Sequence, residues 1–170
     1  MKKRILTAVL AAALVTGTCA ATVSAKEEKT YTIGICQLVQ HDALDAATKG
    51  FEDAITEKMG DSVKFDEQNA QGDSNTCSTI INSFVSEGAD LILANATASL
   101  QAAAAGTSDI PILGTAVTEY GVALGIDDFD GTVGGNISGT SDLAPLDEQA
   151  DMLHELFPDA KNVGLLYCSA

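Results

Sequence analysis

The chain has 170 residues, 46% of them apolar and 19% charged, with nine basic against 24 acidic side chains and a formal net charge of −15. That apolar content supports a packed core and excludes wholesale disorder, and the length holds one full domain, or one domain and part of another. So acidic a surface repels phosphate backbones and anionic lipid headgroups, which excludes nucleic acid as a partner.

Residues 1–25 predict an export signal. Lys2, Lys3 and Arg4 form a basic start, Ile5 to Val15 an apolar run, and Val23-Ser24-Ala25 the small residues at which a signal peptidase cuts. The apolar run is shorter than the ~20 residues that span a bilayer. The expectation is cleavage after Ala25. The alternative is a lipid anchor on Cys19, although Thr16-Gly17-Thr18 lacks the Leu-type residue usual before a lipidated cysteine. Cys36, Cys77 and Cys168 then remain. Their odd number, without CxxC or Cys/His spacing, predicts buried structural thiols rather than a disulfide scaffold or a zinc site, with a Cys36–Cys77 bridge left open but unsupported by spacing.

After a charged leader, Tyr31 to Cys36 is β-branched and apolar enough for a first strand. Leu44, Ala47, Phe51 and Ile55 fall at helical spacing within residues 43–59, and Gly60-Asp61 ends that helix. Val63 to Asp66 alternates as a second strand. A second helix over residues 74–87 aligns Cys77, Ile80, Ile81, Phe84 and Val85 before Gly88 stops it. Leu91 to Ala94 reads as a buried strand feeding an alanine-rich helix that Gly106 breaks. Ile110 to Gly114 is a fourth strand with its proline near the start.

Strand and helix thus repeat at regular intervals, the pattern of a parallel sheet with helices on both faces. Beyond it, Gly121 to Ile126 is expected as a short strand and Gly134 to Gly139 as an extended piece. Ser141 or Asp142 is expected to cap a helix carrying Leu146, Ala150, Leu153 and Phe157, which Pro158 ends; Val163 to Tyr167 is expected as a buried strand. A chain stopping on such a strand predicts a truncated molecule: a signal (1–25), a complete α/β lobe (26–140), and a crossover with the first helix and strand of a second lobe (141–170).

The organising feature is the junction after Leu91 to Ala94. A strand that runs into a helix aims free backbone N–H groups past the strand's C-terminal end, where small ligands sit in open α/β sheets. Asn95 to Ser99 are therefore expected to hold part of a small anionic or zwitterionic ligand, with Thr97 either a ligand hydroxyl or an ordinary helix cap. Thr115 and Thr118 follow the next strand and can add hydroxyls. No arginine occurs after Arg4, so a carboxylate here relies on amides and hydroxyls, while Asp45, Asp142 or the missing lobe could meet an ammonium. His41, just past the first strand, could stack on a ligand or be a plain turn residue; His154 reads as solvated.

Asp127, Asp128 and Asp130 before Gly131 lack the later glutamate of a calcium loop, so no metal is expected. GxGxxG, a phosphate-loop Gly-Lys-Ser/Thr and GxSxG are all absent, and no catalytic residues or cofactor are expected.

Several segments together carry a family resemblance: residues 33–41, Leu44-Asp45-Ala46-Ala47 with Gly50-Phe51, Asn69-Ala70-Gln71-Gly72-Asp73, Ala94-Asn95-Ala96-Thr97, Asp109-Ile110-Pro111-Ile112, Thr115-Ala116-Val117-Thr118, residues 135–142 and residues 156–161. In register over nearly all of the chain after residue 25, they resemble ABC-transporter substrate-binding proteins of the group associated with tryptophan or tyrosine uptake. The chain departs from that pattern at Asp42, at Ala98 after the threonine, and at Glu119-Tyr120 where an Asp-Pro pair is usual.

The resemblance implies a type I periplasmic-binding fold whose two lobes close on an aromatic amino acid. It implies an exported monomer serving a membrane permease, with first-lobe contacts from His41, Asn95, Ala96, Thr97, Thr115, Thr118, Asn136, Ser141 and Asp142. The competing readings are an exported α/β hydrolase, for which only His41 is placed as a base, and a sensory or adhesive receptor lobe of the same fold.

Overall fold

The structure, a computed structural model, describes residues 29–166; the export signal, Cys19 and Cys168 lie outside them. Five parallel strands, β1 (Tyr31–Gln37), β2 (Val63–Asn69), β3 (Leu91–Asn95), β4 (Ile112–Val117) and β5 (Ile137–Ser141), form one sheet in the order β2-β1-β3-β4-β5. Between them run α1 (Asp42–Met59), α2 (Ser74–Glu87), α3 (Thr97–Gly106) and the short α4 (Tyr120–Leu124), and α5 (Leu146–Leu156) follows.

The strand order decides which face each helix covers. The chain moves one way from β1 to β2 and the other way for every later strand, so right-handed crossovers place α1 on one face and α2 and α3 on the other. Alternation along β1 sends Ile33 and Ile35 toward Phe51 and Ile55 of α1, and Cys36 toward the cluster built by Cys77, Ile80, Ile81 and Phe84 of α2. Gly34 permits the close approach on that side. A Cβ on it would lie 2.6 Å from the Phe84 ring, so the missing side chain lets Phe84 lie flat on the sheet at 1% exposure. Burying such a ring contributes about 1.5–3 kcal/mol.

The regular part of the sequence folds as its periodicity predicts, with small shifts. β2 continues to Asn69 because Glu67, Gln68 and Asn69 pair in register with Ile35, Cys36 and Gln37, and an edge strand accepts their polarity. β4 begins at Ile112, after Pro111, whose carbonyl accepts from the Ile92 amide.

Three expectations in the later chain fail. Residues 120–124 are helix, because the Glu119 carboxylate caps the amides of Gly121 and Val122 and Gly125 ends the turn at φ 64°. Neither Ser141 nor Asp142 caps the last helix. Ser141 closes β5, and α5 starts behind Pro145 with no side-chain cap. Val163 to Leu166 form no strand and lie open to solvent, Leu165 at 87% exposure; no described strand runs beside them to take their hydrogen bonds.

Candidate functional site

Across the C-terminal edge of the sheet, Asn69, Gln37, Asn95 and Thr115 stand in register on β2, β1, β3 and β4. The chain's direction reverses between β1 and β3, which makes this the switch point where open α/β sheets leave a crevice. Beneath that crevice lies a buried polar network. Gln37 donates to Asp45 Oδ1 at 2.6 Å and to the Val39 carbonyl at 3.0 Å, and it accepts from the Thr48 hydroxyl at 2.7 Å. Asn95 donates to that same hydroxyl and to the Leu44 carbonyl, both at 2.9 Å. Buried amides need such partners. Here they tie the ends of β1 and β3 to the first turns of α1, leaving only Asn95 Oδ1 unpaired.

Above the network the backbone turns sharply. Ala96 has φ 95° and ψ 161°, a conformation that side chains disfavour and that costs of order 1–3 kcal/mol. It is held by its N–H donating to the Thr115 carbonyl at 2.9 Å and by its carbonyl accepting from Leu100 at 3.0 Å. The turn starts α3 at Thr97, and no side chain caps the helix. The first-turn amides of Thr97, Ala98 and Ser99, with the positive end of the helix dipole, are thus left for a negatively charged partner. On the neighbouring strand Ala116 also has positive φ, 52°, where the pairing of β4 with β5 slips between Gly114 and Val117.

The wall continues along β4 and β5. Ser141 Oγ donates to the Thr118 carbonyl at 2.8 Å, the Asp142 amide to the Val117 carbonyl at 3.1 Å, and the hydroxyls of Thr115 and Thr140 lie 3.4 Å apart. Burial and then the nearby Asp142 charge push the Tyr120 hydroxyl above its ordinary range, and it donates to the Thr140 carbonyl. On the α1 face of β3, β4 and β5 lies a groove of 310 Å³, reached by Phe51, Leu113 and Thr115. A larger groove of 560 Å³ runs beside β5, lined by Tyr120, Phe129, Val133 and Ile137 and also by Glu119 and Ser141. Among the described residues, Lys29 and Lys49 are ion-paired with Asp90 and Asp53.

The model of a family described as ABC transporter substrate binding protein matches residues 32–170. The chain belongs to that family. It is 46% identical over 143 residues to a tyrosine-binding protein of Clostridioides difficile, covering 82% of this chain and 41% of the relative. Among solved structures it is similar to the ligand-free, open form of a substrate binding protein with adhesive properties from Clostridium difficile, at 43% identity and TM-score 0.68 over 78% of this chain and 45% of that one. It is also similar to an ABC domain of Streptococcus pneumoniae in complex with L-Trp, at 33% identity and TM-score 0.69 over 77% and 45%. The chain therefore spans less than half the length of these relatives, and its fold is the type I periplasmic-binding fold.

Within this family member, the C-terminal edge brings together His41, Asn95, Ala96, Thr97, Thr115, Thr118, Ser141 and Asp142, but not all as expected. Asn136 is at the other end of the sheet, where its amide donates to the Thr107 and Ile110 carbonyls and pins the end of α3 to the start of β5. The Asn95 side chain is fully buried and faces α1, so it supports the crevice from below rather than lining it. Thr97 is the first helical residue; the capping position falls to Ala96. His41 caps α1, its Nδ1 accepting from the Ala43 amide at 3.2 Å while its own N–H leans on Asp45.

Gln37 and Thr48, the centre of the buried network, are not among the sequence-derived candidates. A lone Gln ending an apolar strand was the one available signal. The turn at Ala116 left none, since alanine has no preference for positive φ.

Proposed function

We propose that this chain supplies the first-lobe wall of an extracytoplasmic solute-binding protein that takes up a small amino acid, best an aromatic one, for delivery to an ABC permease. The observation that carries the reading is the uncapped first turn of α3, set over the switch point by the strained Ala96. A ligand carboxylate placed there meets the amides of residues 97–99 and the Thr97 hydroxyl, and needs no guanidinium. Thr115, Thr118, Ser141 and Asp142 extend the wall, and His41 stands at its far side.

In this reading residues 1–25 direct export, 26–140 are the lobe, 141–170 lead into a second lobe that closes the cleft, and Cys19 is the alternative anchor. The protein binds rather than transforms its ligand and works as a monomer. The names of the relatives that bind tyrosine and tryptophan support the aromatic choice. Calorimetry and thermal shift on the full-length polypeptide with each common amino acid test it, because a ligand that binds only the native state raises the melting temperature. A response to tyrosine or tryptophan is expected. Silence toward every aromatic amino acid, with a clear response to a sugar, would overturn it.

A further inference from the structure

Cys36 lies next to last in β1 and Cys77 in the first turn of α2; both are free and fully buried. They meet on one oxygen. The Cys36 thiol donates to Ser99 Oγ at 3.6 Å, and Cys77 Sγ lies 3.7 Å from the same atom. Two sulfurs 41 residues apart in sequence thus share one enclosed spot, immediately behind the first turn of α3.

We propose that Cys36 and Cys77 are a modification site, pairing as a disulfide that clamps the end of β1 to the start of α2. The reaction is thiol–disulfide exchange with a low-molecular-weight disulfide or the disulfide of an exported oxidase. One cysteine loses its proton and attacks a sulfur of the oxidant, releasing one oxidant thiol and leaving a mixed disulfide. The second cysteine, deprotonated in turn, attacks the bonded cysteine sulfur and expels the other oxidant thiol. Both cysteines are oxidised, and the oxidant takes up the two electrons as two thiols.

Burial pushes the Cys36 thiol up to about 12, so the closed protein holds almost no thiolate to react. The bond therefore forms during folding, before the pair is sealed, and once made it is shielded from reductants. Export into an oxidising space, which belongs to the functional reading above, would supply the oxidant in the cell; the test below supplies its own and stands apart from that reading.

The reduced chain is refolded with mixed reduced and oxidised glutathione, alkylated, digested and mapped by mass spectrometry. The expected product is a Cys36–Cys77 linked pair of peptides, two hydrogens lighter than the separate peptides. The oxidised chain should melt about 5–10 °C above the same chain after reduction under denaturing conditions and refolding with reductant. That difference should vanish in Cys77→Ala, or in Cys36→Ala where the first variant does not fold. Alkylation of both residues in the refolded chain, or a bridge from either one to Cys168, overturns the proposal on the unsubstituted chain alone.

Discussion

The Asn95 side chain donates to the hydroxyl of Thr48 at 2.9 Å, joining the end of β3 to the buried side of α1. That hydroxyl in turn donates to Gln37 Oε1, so one threonine links two strands at the floor of the proposed cleft. Removing a member strands the others without partners. Asn95→Leu should lower stability by about 2–3 kcal/mol and Thr48→Val by about 1–2, each a buried-partner loss. Urea unfolding should show a lower midpoint with an unchanged slope. A cycle with both changes should cost less than the sum, since the two share one hydrogen bond.

Ala96 is the position where an added degree of freedom helps. Ala96→Gly relieves a φ of 95° and should raise stability by about 1 kcal/mol after the extra entropy of the unfolded glycine is subtracted. Ala96→Val should lower it by more than that. Melting temperatures of the two variants check the sign, and a destabilised glycine variant would show that the backbone there is unstrained.

Thr97 is expected to act on the ligand rather than on the helix, because it lies inside α3 and caps nothing. Thr97→Val in the full-length polypeptide should weaken amino-acid binding about tenfold, the value of one hydrogen bond to a charged group. The melting temperature without ligand should stay within a degree or two. Lost stability with unchanged affinity would return Thr97 to a purely structural role.

Gly34→Ala places a methyl group 2.6 Å from the Phe84 ring. Overpacking of that kind should cost about 1–3 kcal/mol. Phe84→Leu in the same chain should recover part of the loss, which denaturation of the single and double variants measures.

Acid should weaken the fold at two carboxylates. The Thr76 amide at the start of α2 holds Asp73 below its usual range, and the Thr32 amide, then Lys29, does the same for Asp90. A depressed folded value means that the stabilisation is present above the ordinary carboxylate range and is lost as pH falls through the folded value. Glu52 has the opposite sign. Burial and then Glu67 raise it, so protonation relieves a penalty there. Asp73→Ala and Asp90→Asn should each flatten the fall in stability below about pH 4, read from denaturation midpoints across pH 2–7.

The sequence by itself determined the parts that local chemistry dictates. Helical spacing at Leu44, Phe51 and Ile55, the stops at Gly60 and Gly88, and the β-branched run from Tyr31 led to the strands and helices of the regular half, and the family motifs led to the fold. It also located the junction after Leu93 and Ala94, because a buried strand feeding a helix carries its free amides wherever it folds. It failed where the outcome depends on what lies next to a residue. Glu119 becomes a cap only when the following amides turn onto its carboxylate, and Val163 to Leu166 have no described strand to pair with.

Tertiary structure alone decided which way the polar residues of the edge face. Asn95 and Ala96 are adjacent in sequence. One is drawn down into Gln37 and Thr48, and the other is forced to a positive φ by its hydrogen bonds to Thr115 and Leu100. Asn136, which the motif placed at the cleft, is carried by parallel pairing to the opposite end of the sheet. Register sets these orientations, and register is a property of paired strands that no single strand contains.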